Sequence, residues 1–256
     1  MGNSLKGLTV VNTRPSHQAH ALNEIISQEG GELVSFPVIE IIPPENSDVL
    51  KNQFKKLKYT DIAIFVSANA VDAAIVELGG AEYWPENIII ASVGRATASK
   101  LEAYGLAASI IAPEPFNSEA LLRMPELENV SSKNILIFRG VGGREYMAKT
   151  LRSRGANVDY VECYRRVIPD SESDNLYQCW SEDRKLIIVV TSNEGLRNLI
   201  TMVDKKYRDD LLVSKLVVVS ERTISLAGEL GFDQKPLLVT TVSNKAIVES
   251  IQHWFK

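Results

Sequence analysis

The stretch Ile135 to Pro169, ILIFRGVGGREYMAKTLRSRGANVDYVECYRRVIP, restricts the fold more than any other, because it spells a strand, a polar turn, a helix and a long second strand in that order. Ile135 to Phe138 is a short apolar run of the sort a buried parallel strand presents. Arg139-Gly140-Val141-Gly142-Gly143-Arg144 interrupts it with glycines, where backbone passes close to something. Tyr146, Met147 and Leu151 then follow helical spacing to a stop at Gly155. Glycine backbone at a helix start presents unpaired N–H groups, so Gly140 and Gly143 with the flanking Arg139 and Arg144 are candidate anion donors. The same glycines would equally serve a tight turn that meets no ligand. A dinucleotide fingerprint is excluded, since the third glycine position of G-x-G-x-x-G after Gly140 and Gly142 holds Glu145.

The strand–helix alternation runs through the whole chain and specifies an α/β fold with parallel sheets. Leu8 to Asn12 reads as a strand, and Pro15 suits the first turn of a helix carrying Leu22, Ile25 and Ile26. Strands follow at Ala63 to Ser67, Ile88 to Gly94, Ala108 to Ala112, Leu186 to Ser192, Lys215 to Ser220 and Leu237 to Val242, each leading into a helix. A helix with Leu50, Phe54 and Leu57 follows the cap Asn46-Ser47-Asp48. Two segments do not fit one sheet: Leu33 to Pro43 has Pro37 in its middle, where a central strand has no place for it, and Val158 to Ile168 is overlong and ends at Pro169. Both read as crossings between lobes.

An internal repeat supports two lobes. Phe65 to Val71 aligns with Val190 to Leu196, an offset of 125 (192 − 67), and Gly94 to Thr97 aligns with Ser220 to Thr223 at an offset of 126 (223 − 97). The crossing Gly31 to Pro43 lies over Gly155 to Pro169. At 256 residues the chain exceeds the ~150 usual for one core. The expected organisation is a first α/β lobe from 1–37 plus 168–256, holding both termini, and a second, inserted lobe at 40–165. Crossing strands occupy 35–43 and 160–169, and the two lobes are expected to face each other across a cleft.

Charge and composition remove several classes. With 28 basic and 32 acidic residues the net charge is −4, without the broad positive field nucleic acid requires. The clusters Lys55-Lys56 and Lys205-Lys206 read as solvated helix faces. No run of 18 apolar residues could span a bilayer, and the opening Met1-Gly2-Asn3-Ser4-Leu5-Lys6 has no signal-like apolar core, so the cytoplasm is the expected compartment. Lys6 stands where a myristoylation motif needs Ser or Thr. Cys163 and Cys179 lack metal or disulfide spacing and read as reduced packing residues. His17, His20 and His253 are too few and too scattered for a triad or a histidine metal site. The absence of a P-loop, H-E-x-x-H or paired-cysteine pattern disfavours metal and nucleoside triphosphate, and no cofactor is expected.

In parallel sheets, ligands bind beyond the carboxyl ends of the strands. The residues standing there are Thr13 and Arg14, Ser67 and Asn69, Gly94 and Thr97, Arg139 to Arg144, Ser192 and Asn193, and Ser220 and Thr223. Ser, Thr and Asn at such positions read either as helix caps or as donors to a large polyanion, since both uses draw on the same N–H groups. Tyr164, in the second crossing, reads either as a ribbon aromatic or as a phenol able to give a proton or bind a carboxylate.

In this order, V-N-T-R-P at Val11 to Pro15, F-x-S-x-x-A-V at Phe65 to Val71, V-G-x-x-T-A at Val93 to Ala98, R-G-x-x-G-R at Arg139 to Arg144, Tyr164, T-S-x-E-G-x-x-N-L at Thr191 to Leu199 and S-x-R-T at Ser220 to Thr223 resemble the uroporphyrinogen-III synthase family over nearly the whole chain. Ala68-Asn69 depart from the proline-containing turn of some relatives. The resemblance implies two flavodoxin-like lobes joined by a two-stranded β-ladder. It also implies a cofactor-free lyase of tetrapyrrole and heme biosynthesis that cyclises hydroxymethylbilane, with inversion of the last ring through a spiro intermediate and loss of water. Tyr164 is then the candidate acid, and the strand-end residues are substrate-binding. The substrate is the expected partner, with no nucleic acid or membrane, and the protein is expected to be a monomer. The alternative is a bilobal, non-catalytic binding protein for an anionic ligand.

Overall fold

The structure is a computed structural model that describes residues 3–171, 173–240 and 243–256. In chain order β1 (Thr9–Asn12), α1 (Ser16–Gln28), β2 (Glu32–Ser35), β3 (Glu40–Ile42), α2 (Ser47–Phe54), β4 (Ile62–Phe65), α3 (Ala68–Leu78), β5 (Ile89–Ser92), α4 (Arg95–Ala103) and β6 (Ile110–Ile111) come first. There follow α5 (Ser118–Leu121), β7 (Asn134–Gly140), α6 (Tyr146–Ser153), β8 (Asn157–Val167), α7 (Asp174–Ser181), β9 (Leu186–Val190) and α8 (Asn193–Met202). The chain ends with α9 (Arg208–Val213), β10 (Lys215–Val218), α10 (Glu221–Glu229), β11 (Leu237–Leu238) and α11 (Asn244–Phe255). Met1 and Gly2 of the opening segment, and Thr241 and Val242 of the strand expected to end there, lie outside the described residues.

Two compact units divide the chain: Met1–Glu40 with Val167–Lys256, and Ile41–Arg166. In the first, the sheet order is β11-β10-β9-β1-β2, with parallel pairing throughout. Strands buried on both faces need apolar residues at every position. Val10, Ile187, Val189 and Val217 pack with Leu22 and Ile26 of α1 and Ile247, Val248 and Ile251 of α11. Val11, Ile188, Val190 and Val218, which alternate with them, are fully buried as well. Leu211 of α9 is also fully buried, although this helix is not anticipated by the sequence. Lys205-Lys206, read as a helix face, lie in a 3-10 turn just before it.

In the second unit the order is β3-β8-β7-β4-β5-β6, and β8-β7-β4-β5-β6 pair in parallel. Ala63, Phe65, Leu136 and Phe138 pack on Val71, Ala74 and Ile75 of α3, while Ile62, Ile64, Ile135 and Ile137 pack on Leu121 of α5 and Met147 and Leu151 of α6. The first crossing breaks around Pro37 into β2 and β3, and the second is the continuous eleven-residue β8. β3 and β8 are neighbours, so the ladder of the crossings is the edge of this sheet.

Both units share one order, β11-β10-β9-β1-β2 matching β6-β5-β4-β7-β8, and the register preserves the repeat. Thr9 pairs with Glu32 as Asn134 pairs with Asn157, and Val10 pairs with Ile187 as Ile135 pairs with Ile62, each at a separation of 125 residues. The segment 41–166 is expected to fold when expressed alone, because its strands, but for one end residue each of β3 and β8, and their covering helices lie within it. Far-UV circular dichroism and dispersed amide NMR signals check this, and a random-coil spectrum would count against it.

Candidate active site

The strand ends present helix starts of one geometry. Ser67, Ser192 and Ser220 cap α3, α8 and α10 from extended backbone (φ −161°, −156° and −154°), each accepting from the N–H three residues on. Capping of this kind contributes about 1 kcal/mol per helix. Gly94 holds the same extended conformation ahead of α4 without a side chain to cap it. Thr97 and Thr223, the third residues of their helices, are buried. Thr223 donates to Asn193 Oδ1 at 2.8 Å and shares a 2.8 Å bond with Ser220, which ties the starts of α8 and α10 together. Thr13 is buried and donates to Val189 O at 2.7 Å, joining β1 to β9. Arg14 rests on a neutral amide, donating to Asn244 Oδ1 at 2.6 Å, and burial lowers its pKa. Asn69 is half-buried in the first turn of α3.

The glycine turn after β7 meets an anion that the protein itself supplies. Glu162 Oε1 accepts from Arg139 Nη2 at 2.9 Å, from Arg139 Nε at 3.2 Å and from the Gly142 N–H at 3.1 Å. Arg139 Nη1 also donates to Glu145 Oε1, and the guanidinium lies 3.7 Å from the Tyr160 ring centre. Tyr160 donates to Glu145 Oε2 at 2.8 Å, which, together with Arg139, holds the Glu145 carboxyl below its usual range. Arg144 pairs with Glu119. Arg139 and Arg144 therefore have their charges answered within this unit, and the left-handed Gly142 and Gly143 (φ 77° and 103°) shape a turn around an internal carboxylate.

Tyr164 is 2% exposed, packed in the core with Val161 and Cys163. Its aim depends on a register shift. Val161 pairs with Phe138 and Glu162 with Arg139, but Gly140 pairs with Tyr164, so Cys163 is the extra residue. Such a bulge turns the next side chain to the other face. Tyr164 thereby joins the face of Phe138 and α3, where its hydroxyl lies 3.1 Å from Ser67 Oγ and accepts from Arg166 Nη2 at 3.1 Å. The Cys163 thiol, pushed up to about 12 by burial, donates to Arg139 O and has no redox partner, Cys179 being free as well. A cavity of about 200 Å³ opens here, lined among others by Ser118, Gly143, Arg144, Tyr164 and Arg166.

Gly140 is what lets the phenol lie across the strand: a Cβ there would sit 2.8 Å from Tyr164 Cε2 and Cζ. Gly140→Ala is expected to push the ring from Ser67 and Arg166 and to cost about 1–3 kcal/mol by overpacking. Unfolding midpoints measure the loss, and unchanged stability would mean the ring has room to move.

A family model described as uroporphyrinogen-III synthase HemD matches residues 20–237. The chain belongs to the uroporphyrinogen-III synthase family. The uroporphyrinogen-III synthase of Escherichia coli (strain K12) is 33% identical over 247 residues, covering 96% of this chain and 100% of that protein. The Salmonella typhimurium enzyme of the same name is 34% identical over 254 residues, with the same coverage. Crystal structures of a mutant uroporphyrinogen III synthase from the extremely thermophilic bacterium Thermus thermophilus (TM-score 0.64, 16% identity, 97% of this chain and 98% of that one) and of the synthetase from Helicobacter pylori 26695 (TM-score 0.64, 14% identity, 96% and 99%) share the fold. The family is one of enzymes, which favours catalysis over a non-catalytic binding protein. Among the described residues no helix is long and apolar enough to cross a membrane.

The strand-end residues of this chain separate by local role. Ser67 and Tyr164 come together, as do Ser192, Asn193, Ser220 and Thr223, whereas Thr13 is spent on the sheet. The sequence reading missed Arg166 and Asn244. Arg166 had a signal, since two residues along a strand from Tyr164 is the same face.

Proposed function

We propose that this protein is a lyase that cyclises hydroxymethylbilane to uroporphyrinogen III, inverting the last pyrrole ring and releasing water, as a cytoplasmic monomer. The observation that carries this reading is identity of 33% over the full length of an enzyme of that name. The local chemistry supports it. The substrate's pyrroles are nucleophilic without help and close unaided to the wrong isomer, so the protein's task is to hold one geometry. Capped helix starts and Arg14 supply donors for the substrate's eight carboxylates, and each hydrogen bond to a charged group is worth about 1.5–3 kcal/mol before exposure reduces it. Tyr164 is the hydroxyl best surrounded to be the source of the proton that the departing hydroxyl takes.

Incubation with hydroxymethylbilane tests the reading. The type III isomer is expected to dominate, where the protein-free control gives type I. A ratio equal to the control would overturn the proposal, and tight binding with that ratio would point to a non-catalytic binding protein.

A further inference from the structure

The hydrogen bonds around Tyr164 favour one direction. A guanidinium can only donate, so the phenol oxygen accepts from Arg166 Nη2 at 3.1 Å. The remaining contact, Tyr164 to Ser67 Oγ at 3.1 Å, holds two hydroxyl protons and needs one of them. Phenol is the more acidic of the two hydroxyls and the poorer acceptor, and its oxygen already takes the Arg166 N–H. The phenol proton therefore points at Ser67. Ser67 Oγ, which also accepts the Ala70 N–H at 3.2 Å, has its own proton left over. Tyr164 borders the cavity but is only 2% exposed, whereas Ser67 is half-buried, so the spare proton lies on the more exposed of the two hydroxyls.

We propose that Arg166 is a positioning residue for Tyr164, and that the acid of the reaction is delivered through Ser67 and not from the phenol directly. This rests on the reading of the protein as a hydroxymethylbilane cyclase. As the carbon–oxygen bond of the hydroxymethyl group breaks, its electron pair stays on oxygen, which takes the Ser67 proton and departs as water. The carbon is left as a cation delocalised onto the pyrrole nitrogen. Ser67 is reprotonated by Tyr164, and the phenolate so formed faces the Arg166 guanidinium, 5.5 Å from the ring centre. The cation is attacked first by the last ring's bridged α-carbon, which has no hydrogen to lose and becomes the spiro centre. Its old bridge bond then breaks, and the released methylene bonds to that ring's free α-carbon, which sheds its hydrogen as a proton that returns through Ser67 to Tyr164. One hydroxyl and one proton leave the substrate, and the relay ends as it began.

A double-mutant cycle in the full chain tests the assignment, read by single-turnover rate with substrate affinity and melting temperature alongside. Arg166→Met is expected to slow the single turnover by about 10²-fold, the low end for a general acid, with affinity and melting near wild type. In a Tyr164→Phe background the same change should alter the rate by less than about 2-fold, because a residue that positions the phenol has nothing left to position in the rate-determining chemistry once the hydroxyl is gone. Arg166→Lys, which keeps a donor, should recover most of the rate, and it stands in for the Met variant if that one fails to fold. Ser67→Ala should be as slow as Tyr164→Phe. An equal loss in both backgrounds would place Arg166 on the substrate and overturn the proposal, as would no loss in either, or a Ser67→Ala enzyme of wild-type rate. Wild-type protein that forms no type III isomer would instead fail the parent reading.

Discussion

Phe138→Ala is expected to destabilise the 41–166 unit by about 3–5 kcal/mol, the range for removing a buried phenylalanine. Phe138 is fully buried and stacks on Phe65 at 4.6 Å, with Trp84 at 5.6 Å and Phe54 edge-on at 5.9 Å. Rings held from both sides by α3 and β4 have little room to collapse into the space, so the cavity penalty adds to the lost transfer energy. The residue directly precedes Arg139 and Gly140, and any repacking there moves the strand against which the Tyr164 ring lies. Denaturant unfolding measures the loss, with the single-turnover rate at low temperature as the second readout. A loss under ~1 kcal/mol would mean that the aromatic cluster relaxes around the missing ring.

Arg139→Met is expected to cost about 2–3 kcal/mol of stability, less than the 3–5 for breaking a fully buried ion pair. The arginine side chain is 11% exposed, but its partners Glu162 and Glu145 are 32% and 44% exposed and recover part of their hydration. Methionine keeps the apolar stem against Tyr160 while removing the charge. Glu162→Gln in the same background should then cost little more, since the pair acts as a unit. Substrate affinity per folded molecule should stay near wild type. The opposite result, normal stability with affinity reduced tenfold or more, would return Arg139 to the substrate.

The alternation of apolar runs and glycine stops made the α/β class and the repeat legible, because parallel strands buried on both faces leave a strong local pattern. Ser67, Ser192 and Ser220 were equally legible as helix starts. What was hidden depends on partners far along the chain. That the turn after β7 holds an anion could be read from its glycines and arginines; that the anion is Glu162 follows only from β7–β8 register, 23 residues apart. The aim of Tyr164 was hidden more deeply. Simple alternation from Val161 turns it to the α6 face, and the one extra residue at Cys163 reverses this without any glycine or proline in β8 to announce it. Helix α9 was hidden for the opposite reason: Arg208, Asp209 and Asp210 at its start drown the single anchoring Leu211.

The 125-residue repeat has a consequence for how the molecule can be divided. Its two copies run in tandem, yet neither sheet is made from one copy: β1 and β2 from the first pair with β9 to β11 from the second, while β4 to β6 from the first pair with β7 and β8 from the second. A cut near the middle of the sequence, between β6 and β7, therefore yields two fragments that each carry incomplete portions of two sheets. Such halves can bury their apolar faces only by exchanging strands with one another. The protein is, in effect, a strand-swapped pair of similar modules written on a single chain, and its covalent continuity sets the local concentration at which each module finds its missing piece.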